Sequence, residues 1–148
     1  MNVGEHVQVG RFLVRFIDEE EWATVEPWVR DAKLCPVWLP VRNPYTLVAE
    51  RDGQVVGALS LLWGPWGYGI VTWVVRDLGN PQSRGAGAAL AKAACLILDI
   101  FGMCAVTALV SQHDTRILAW HRKIPGAHVG GEAYYTSWKR LGGTDGQE

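Results

Sequence analysis

The segment spanning residues 80–102 constrains the fold most strongly, because turn-forming residues and two glycines lead directly into a long apolar stretch. Within that stretch, Leu90, Ala94 and Ile97 recur at helical spacing. The spacing predicts a helix over about residues 85–101. A helix with this much apolar surface must be buried against other elements, so the segments on either side decide the fold.

Strand-like stretches precede and follow this helix. Residues 103–110 are apolar at both alternating sets of positions, which is typical of a strand covered on both faces. Upstream lie residues 12–17, two apolar runs joined around Asp52 and Gly53, and residues 70–75. The upstream strands predict an antiparallel sheet, and the strand–helix–strand sequence after them predicts one parallel crossover. The expected class is therefore α+β, with a mostly antiparallel central sheet.

Two further helices and a final hairpin are predicted around this sheet. Asp18 stands where a helix cap belongs, and Glu21 closes a capping box. Pro27 is expected to break or kink this first helix. A later helix runs from Asp114 to about Ile124, and a short hairpin follows, turning at the two glycines after it. The apolar face of the first helix consists of Trp22, Val25 and Val29.

Composition limits the classes of function. A chain of 148 residues that is 49% hydrophobic predicts a single domain over residues 1–148, with a flexible tail from about residue 142 to 148. A formal net charge of -1 gives no broad positive field, so we expect no nucleic-acid partner. The first residues lack the pattern of a signal peptide and no apolar run is long enough to span a bilayer, so we expect a cytoplasmic protein without a membrane partner. The cysteines have no metal-ligand spacing and are expected to be reduced and structural; they are Cys35, Cys95 and Cys104.

The glycines of the opening segment suit an anion. A helix N-terminus has unpaired amides and a partial positive charge, and Gly85 and Gly87 would let a phosphate approach them closely. The alternative is that the glycines only form a loop and a tight helix start, and the residues alone leave both open. A P-loop is excluded because no Gly-Lys-Ser/Thr ending is present. A dinucleotide fingerprint is excluded because its third glycine and its acidic residue are missing.

The motif and the order of elements resemble the GCN5-related N-acetyltransferases, the GNAT family. The string QSRGAG, residues 82–87, matches the family's acyl-CoA motif Gln/Arg-x-x-Gly-x-Gly/Ala. The resemblance implies helices on both faces of the sheet, acetyl-CoA as co-substrate, no metal, a small-molecule or protein amine as acceptor, and a homodimer through the C-terminal strands. It implies that the cofactor is bound by Gln82, Ser83, Arg84, Gly85, Ala86, Gly87 and Ala88, and by Asp114 at the start of the later helix.

The resemblance also suggests catalytic roles. A backbone amide near Val75 would point at the thioester carbonyl, and His121, seven residues after Asp114, would protonate the leaving thiolate. Tyr134 or Tyr135 could replace it. Asp77 is the nearest candidate for the general base. Against these roles stand plainer ones, since His121 on an apolar helical face would pack in a core and Asp77 would be a solvated loop residue.

Two interpretations of function stay open at this point. The first is an enzyme, in which glutamates of the first helical segment and tryptophans near residues 63–73 border the acceptor site. Those glutamates, Glu19, Glu20, Glu21 and Glu26, equally suit the first turn of a helix, and the tryptophans equally suit a core. The second is a catalytically inactive GNAT-like binding or structural protein in a viral or toxin context.

Overall fold

The computed structural model describes residues 6–35, 40–63, 68–100, 105–108 and 115–123. The chain divides into two units, residues 1–109 and 110–148. The first unit holds a sheet and two helices, and the described part of the second holds one helix. In chain order the elements are β1 (His6–Val9), β2 (Phe12–Phe16), α1 (Trp22–Asp31), β3 (Thr46–Arg51), β4 (Gln54–Trp63), β5 (Tyr68–Arg76), α2 (Ala86–Ile100), β6 (Ala105–Ala108) and α3 (Thr115–Arg122).

The six strands form one sheet in the order of the chain, from β1 to β6. Each pair from β1 to β5 is antiparallel, and β6 pairs with β5 in the parallel direction. The predicted α+β class with a mostly antiparallel sheet is confirmed. Asp52 and Gly53 join β3 to β4 with positive φ angles of 52° and 78°, as a two-residue hairpin turn requires. The edge strand β1, which turns into β2 at Gly10 and Arg11, was not predicted.

Helices pack on both faces of the sheet, because side chains alternate along each strand. Leu47 and Ala49 of β3 face α2, whereas Val48 between them faces α1. On the α1 face, Trp22 and Trp73 meet edge to face with ring centroids 6.5 Å apart. The residues that α2 buries recur at helical spacing, as predicted, and are Ala86, Ala89, Leu90, Ala93, Ala94 and Ile97.

The first helix differs in detail from the prediction. A 3-10 turn, Glu19–Glu21, precedes it, and the Asp18 amide donates to the Glu21 carboxylate at 2.9 Å, as the capping box predicts. The expected break at Pro27 is wrong, because α1 continues through that residue. Burial of the predicted apolar face, Trp22, Val25 and Val29, holds the helix together at the cost of one hydrogen bond.

Two other expectations have mixed outcomes. Cys35 is buried, but Cys95 is exposed because it lies on the side of α2 away from the sheet. Cys104, Asp114, the predicted final hairpin and the predicted tail lie outside the described residues. None of the helices in the described part is both long and apolar enough to cross a membrane.

Candidate functional site

The predicted anion loop lies between β5 and α2 and is held by its own side chains. Pro81–Ser83 forms a 3-10 turn, capped by Asn80, whose Oδ1 accepts from the Gln82 amide at 2.9 Å. Asp77 Oδ1 accepts from the Gly79 amide at 3.2 Å. These local contacts fix the conformation of the link from β5 to α2.

Ser83 connects the loop to the sheet. It is fully buried, and its hydroxyl donates to the Asp77 carbonyl at 2.6 Å while accepting from Arg76 Nη1 at 2.9 Å. Its side chain is therefore used by the loop itself and is not free for a ligand. Its amide also donates within the loop, to the Asn80 carbonyl at 3.0 Å, and the predicted part of Ser83 in cofactor binding stays a prediction.

The start of α2 has free backbone donors. The first helical bond runs from the Ala89 amide to the Gly85 carbonyl at 3.1 Å. None of the four amides before it, in residues 85–88, donates to an acceptor in the part of the chain that the structure describes. Four free amides beside the positive end of a 15-residue helix form a suitable site for an anion.

Gly85 and Gly57 shape this helix start. Gly85 has a φ of 88°, a conformation that side-chain-bearing residues rarely adopt, so a substitution there would strain the loop itself. A Cβ on Gly57 of β4 would lie 3.0 Å from Ala86 Cβ and 3.2 Å from the Val75 carbonyl oxygen. Gly57 thus lets the first turn of α2 lie against the sheet. This role was not predicted from the sequence, because its contacts are with residues distant in the chain.

Part of β5 next to this loop lacks a strand partner on one side within the described residues. The register between β4 and β5 shifts between Ser60 and Leu61, which leaves Thr72 as an extra residue on β5. Pairing with β6 covers only Tyr68 to Val71. Among the described residues, the β6 side of β5 from Thr72 to Arg76 therefore has no strand partner. An extended chain could be added to it by backbone hydrogen bonds.

The direction of the β5 amides refines the prediction made for Val75. The Asp77 amide donates to the Val56 carbonyl at 2.9 Å, so it faces β4. Amide direction alternates along a strand, so the Val75 amide also faces β4, whereas those of Val74 and Arg76 face the open edge. The donor role expected near Val75 stays a prediction, and of the two amides that face away from β4, that of Val74 lies nearer the bulge.

A cleft of about 420 Å³ lies beside the free amides on the other side of the α2 start. Cationic side chains from four separate segments line it, together with Gly85, just before α2, and Ala88, in the first turn of α2. The cations are Arg11, Arg51, Arg84 and Lys92. Sequence reasoning identified only Arg84 here, because the other three are brought to the loop by the fold.

A polar cluster lies at the bulge on the face that carries α1. Asn43 Nδ2 donates to Ser60 Oγ at 3.0 Å and to the Leu61 carbonyl at 2.6 Å, and Thr72 Oγ1 donates to the Ser60 carbonyl at 3.4 Å. Thr46, opposite Ser60 in the sheet, is fully buried, and its hydroxyl has no partner among the described residues. Buried polar groups inside an apolar sheet are unusual, and Ser60 within the run VVGALSLLW was the signal in the sequence.

The structure describes the surroundings of the predicted base, Asp77, but not the side chain of the predicted acid, His121. Asp77 follows the last residue of β5, five residues beyond Thr72, which is about 16 Å along an extended strand. His121 lies in α3, whose predicted helical character is confirmed. The His121 side chain, Asp114, Tyr134 and Tyr135 fall outside what the structure describes, so their roles stay predictions.

Three of the four glutamates predicted to border the acceptor site are paired with arginines. Both Glu21 carboxylate oxygens accept from Arg15, at 2.7 and 2.8 Å, and this hydrogen bonding holds the pKa of Glu21 below its ordinary value. Arg42 contacts Glu19 at 2.8 Å and Glu26 at 3.1 Å. These contacts favour the structural interpretation of the acidic segment over an acceptor site.

Comparison with known proteins supports the fold. No protein-family model matches the sequence, and no curated protein matches it significantly. Among solved structures, a GNAT-family acetyltransferase from Bacillus anthracis is 12% identical with a TM-score of 0.65, covering 84% of this chain and 85% of that chain. An aminoglycoside acetyltransferase from an uncultured soil metagenomic sample, in complex with sisomicin, is 16% identical with a TM-score of 0.60, covering 82% and 93%.

A third match is yncA from Salmonella typhimurium, solved with its cofactor acetyl-CoA. It is 16% identical with a TM-score of 0.60, covering 82% of this chain and 87% of that chain. Identities this low establish a shared fold and leave the activity to be argued from the site. The chain has the fold of the GNAT-family acetyltransferases.

Proposed function

We propose that this chain is an acetyl-CoA-dependent N-acetyltransferase that transfers the acetyl group directly to an amine. The observation that carries the proposal is the continuity of two features along one stretch of chain. Among the described residues, β5 from Thr72 to Arg76 has no strand partner on its β6 side, and within ten residues it leads to four amides, in residues 85–88, that have no acceptor. An extended, pyrophosphate-bearing molecule would use both features.

In this proposal the loop binds the pyrophosphate of acetyl-CoA. The amides of residues 85–88 donate to its oxygens, and the helix dipole of α2 adds a favourable field. Ser83 and Asp77 hold the loop in the binding conformation through the hydrogen bonds described above. Because the donors are already oriented, binding costs little rearrangement.

The pantetheine arm then lies along the open edge of β5. The Arg76 amide pairs with the arm, and the Val74 amide donates to the thioester oxygen. Negative charge develops on that oxygen when the amine attacks, and a fixed donor stabilises it. The amine nitrogen forms a bond to the acetyl carbon, the carbon–sulfur bond breaks, and the amine loses one proton while the thiolate gains one.

His121 is our candidate for the acid that protonates the thiolate. The base role predicted for Asp77 is weakened by two features of its surroundings, its hydrogen bond to the Gly79 amide and its position at the phosphate end of β5. A general base must reach the attacking nitrogen, and that atom lies at the thioester end. We therefore favour a water molecule as base, held near the polar cluster of Thr46 and Ser60.

The acceptor is proposed to be a small molecule with a primary amine. Support comes from the structural similarity to an aminoglycoside acetyltransferase solved with sisomicin. A protein amine is the alternative acceptor. The acceptor would approach from the α1 face, where the polar cluster adjoins the bulge at Thr72.

Thiol release from acetyl-CoA in the presence of a panel of amines tests the function. We expect turnover with at least one primary amine and none without an amine. Calorimetry on Gly87→Leu should find acetyl-CoA binding lost, whereas Gly79→Leu, a matched change in the exposed linker, should bind like the parent. Binding by the parent without turnover on any amine would instead support the non-catalytic alternative.

His121→Phe tests the acid. We expect turnover to fall by roughly 10²-fold, the usual scale for a lost general acid, with little change in acetyl-CoA affinity. His121→Tyr should retain more activity than His121→Phe, because a phenol can still donate a proton. Parent-like turnover in both variants would make His121 a packing residue and leave Tyr134, Tyr135 or water as the proton donor.

A further inference from the structure

The proposed reaction does not use the cationic cleft beside the start of α2. It lies between the turn that joins β1 to β2 and the first two turns of α2. Arg11 comes from that turn, Arg51 from the end of β3, and Lys92 from the second turn of α2. Arg11 and Lys92, more than 80 positions apart in the chain, thus both line the cleft with positive charge.

In the part of the chain that the structure describes, few acids lie close enough to neutralise these cations. Within the described residues, no carboxylate forms an ion pair with Arg11, Arg84 or Lys92. By contrast, Arg15 and Arg42 each contact at least two carboxylates. Uncompensated cations gathered around a cleft repel one another, and an anion would relieve that repulsion.

Arg51 is held in place by groups other than carboxylates, as far as the described residues show. Its guanidinium carbon lies 5.7 Å from the centre of the Phe12 ring, and its Nη1 donates to the Gln82 carbonyl at 3.3 Å. The ring and the loop carbonyl orient the guanidinium while leaving its charge unpaired. Arg51 therefore links the cleft directly to the anion loop.

We propose that this cleft is a phosphomonoester subsite that binds the 3′-phosphate of coenzyme A, and that Arg11 and Lys92 thereby select coenzyme A over dephospho-coenzyme A. The inference rests on the proposed function, since the pyrophosphate at residues 85–88 brings the ribose phosphate to the cleft. A phosphomonoester carries nearly two charges at neutral pH, which matches several cations better than a diester would. Guanidinium and ammonium groups are the usual protein donors to such a group.

The β1–β2 hairpin gives the subsite its outer wall. β1 and the turn after it place Val9, Gly10 and Arg11 against the cleft. The hairpin thus adds a specificity element to the fold. Removing one cation there should affect discrimination between the two nucleotides and spare the rest of the site.

Calorimetric titration with coenzyme A and with dephospho-coenzyme A at one ionic strength tests the proposal. The parent should bind coenzyme A at least about tenfold more tightly, the equivalent of one charge-assisted hydrogen bond. Arg11→Gln and Lys92→Gln should each lose most of that preference by weakening coenzyme A binding and leaving dephospho-coenzyme A binding unchanged. Lys33→Gln, which removes an exposed lysine outside the cleft, should behave like the parent.

The outcomes separate this inference from the proposed function. If the parent binds both nucleotides equally, or if the cleft variants weaken both equally, the subsite is wrong while acetyl-CoA binding stands. If the parent binds neither nucleotide at millimolar concentration, the proposed function fails and the subsite fails with it. Circular dichroism of each variant confirms that these exposed substitutions leave the fold unchanged.

Discussion

Arginine has opposite surroundings at two places in this protein. In β2, Arg15 is 16% exposed and contacts Glu21 at 2.7 Å and Glu50 at 2.9 Å, so its charge is compensated within the fold. At the start of α2, Arg84 is exposed and has no carboxylate partner in the described part of the chain. The first cluster joins β2, β3 and the segment before α1. At the second place, the Arg84 guanidinium and the amides of residues 85–88 have no partner among the described residues.

The contrast suggests how to distinguish structural from functional charge. Placing a charge out of water requires compensation, so a half-buried arginine with two acids indicates a contribution to stability. An exposed and unpaired arginine contributes little to folding and is available for a ligand. The same difference applies to backbone donors. The Glu21 amide donates to the Asp18 carbonyl and the Asp18 amide to the Glu21 carboxylate, whereas the amides of residues 85–88 have no acceptor among the described residues.

Arg15→Met should have the largest effect on stability. The substitution leaves Glu21 and Glu50 half-buried without a counterion, at a cost of about 3 kcal/mol, the lower end for breaking a buried pair because the side chains keep some exposure. Urea unfolding followed by circular dichroism measures the loss. A loss no greater than that of an exposed control, Arg84→Met, would show that the paired cluster is not structural.

Gly57→Ala should have the next largest effect and should act on the anion loop. The added Cβ would meet Ala86 Cβ at 3.0 Å and the Val75 oxygen at 3.2 Å, so the start of α2 must shift. We expect a destabilisation of about 2 kcal/mol, typical of an overpacked core, with weaker acetyl-CoA binding. Gly79→Ala is the control, since its Cβ would meet only Asp77 Oδ1 at 3.6 Å. Unchanged affinity in Gly57→Ala would separate the packing of the helix start from its ability to bind.

Arg84→Met should show the reverse of Arg15→Met. Its free energy of unfolding should stay within about 0.5 kcal/mol of the parent, as for most surface changes. Its affinity for acetyl-CoA should fall by about tenfold, because a charge-assisted contact to phosphate is lost. Equal losses of stability in the two arginine variants would contradict the division of roles.

The paired cluster should also make stability depend on pH, with a smaller effect. Hydrogen bonds from Arg15 hold the pKa of Glu21 below its ordinary value of 4.5, against a smaller opposing effect of burial. A carboxylate with a depressed pKa in the folded state stabilises the protein above its unfolded pKa, and this contribution is lost as the pH falls through the folded value. Unfolding free energies measured from pH 6 downward should therefore fall more steeply below about pH 4.5 in the parent than in Glu21→Gln.

Local patterns in the sequence were sufficient to predict most of the strands and helices. The hairpin at Asp52 and Gly53 and the buried face of α2 follow from turn chemistry and periodicity, and both are confirmed. The strand β1 was missed because a four-residue edge strand with only half of its positions partly buried has a weak pattern. The helix through Pro27 was misjudged because tertiary burial outweighs one lost hydrogen bond.

The candidate site likewise has parts that a local sequence pattern predicts and parts that only the folded structure brings together. The anion loop was predicted from its glycines, since the requirement for close backbone approach leaves a local trace in sequence. The choice of Val74 over Val75 depends on which β5 amides pair with β4, and that register is set by the pairing of whole strands. The cationic cleft depends on Arg11 and Lys92 meeting across the fold, which no local pattern records.

The most direct test of the central claim is to observe the backbone amides during titration with acetyl-CoA by ¹H–¹⁵N NMR. The account predicts that the amides of residues 85–88 and of Val74 show the largest shifts, while Arg15 and its neighbours do not move. Pantetheine, which lacks the pyrophosphate, should shift Val74 and leave residues 85–88 unchanged. Saturable binding of acetyl-CoA with no shift at residues 85–88, or no binding at millimolar concentration, would contradict the account.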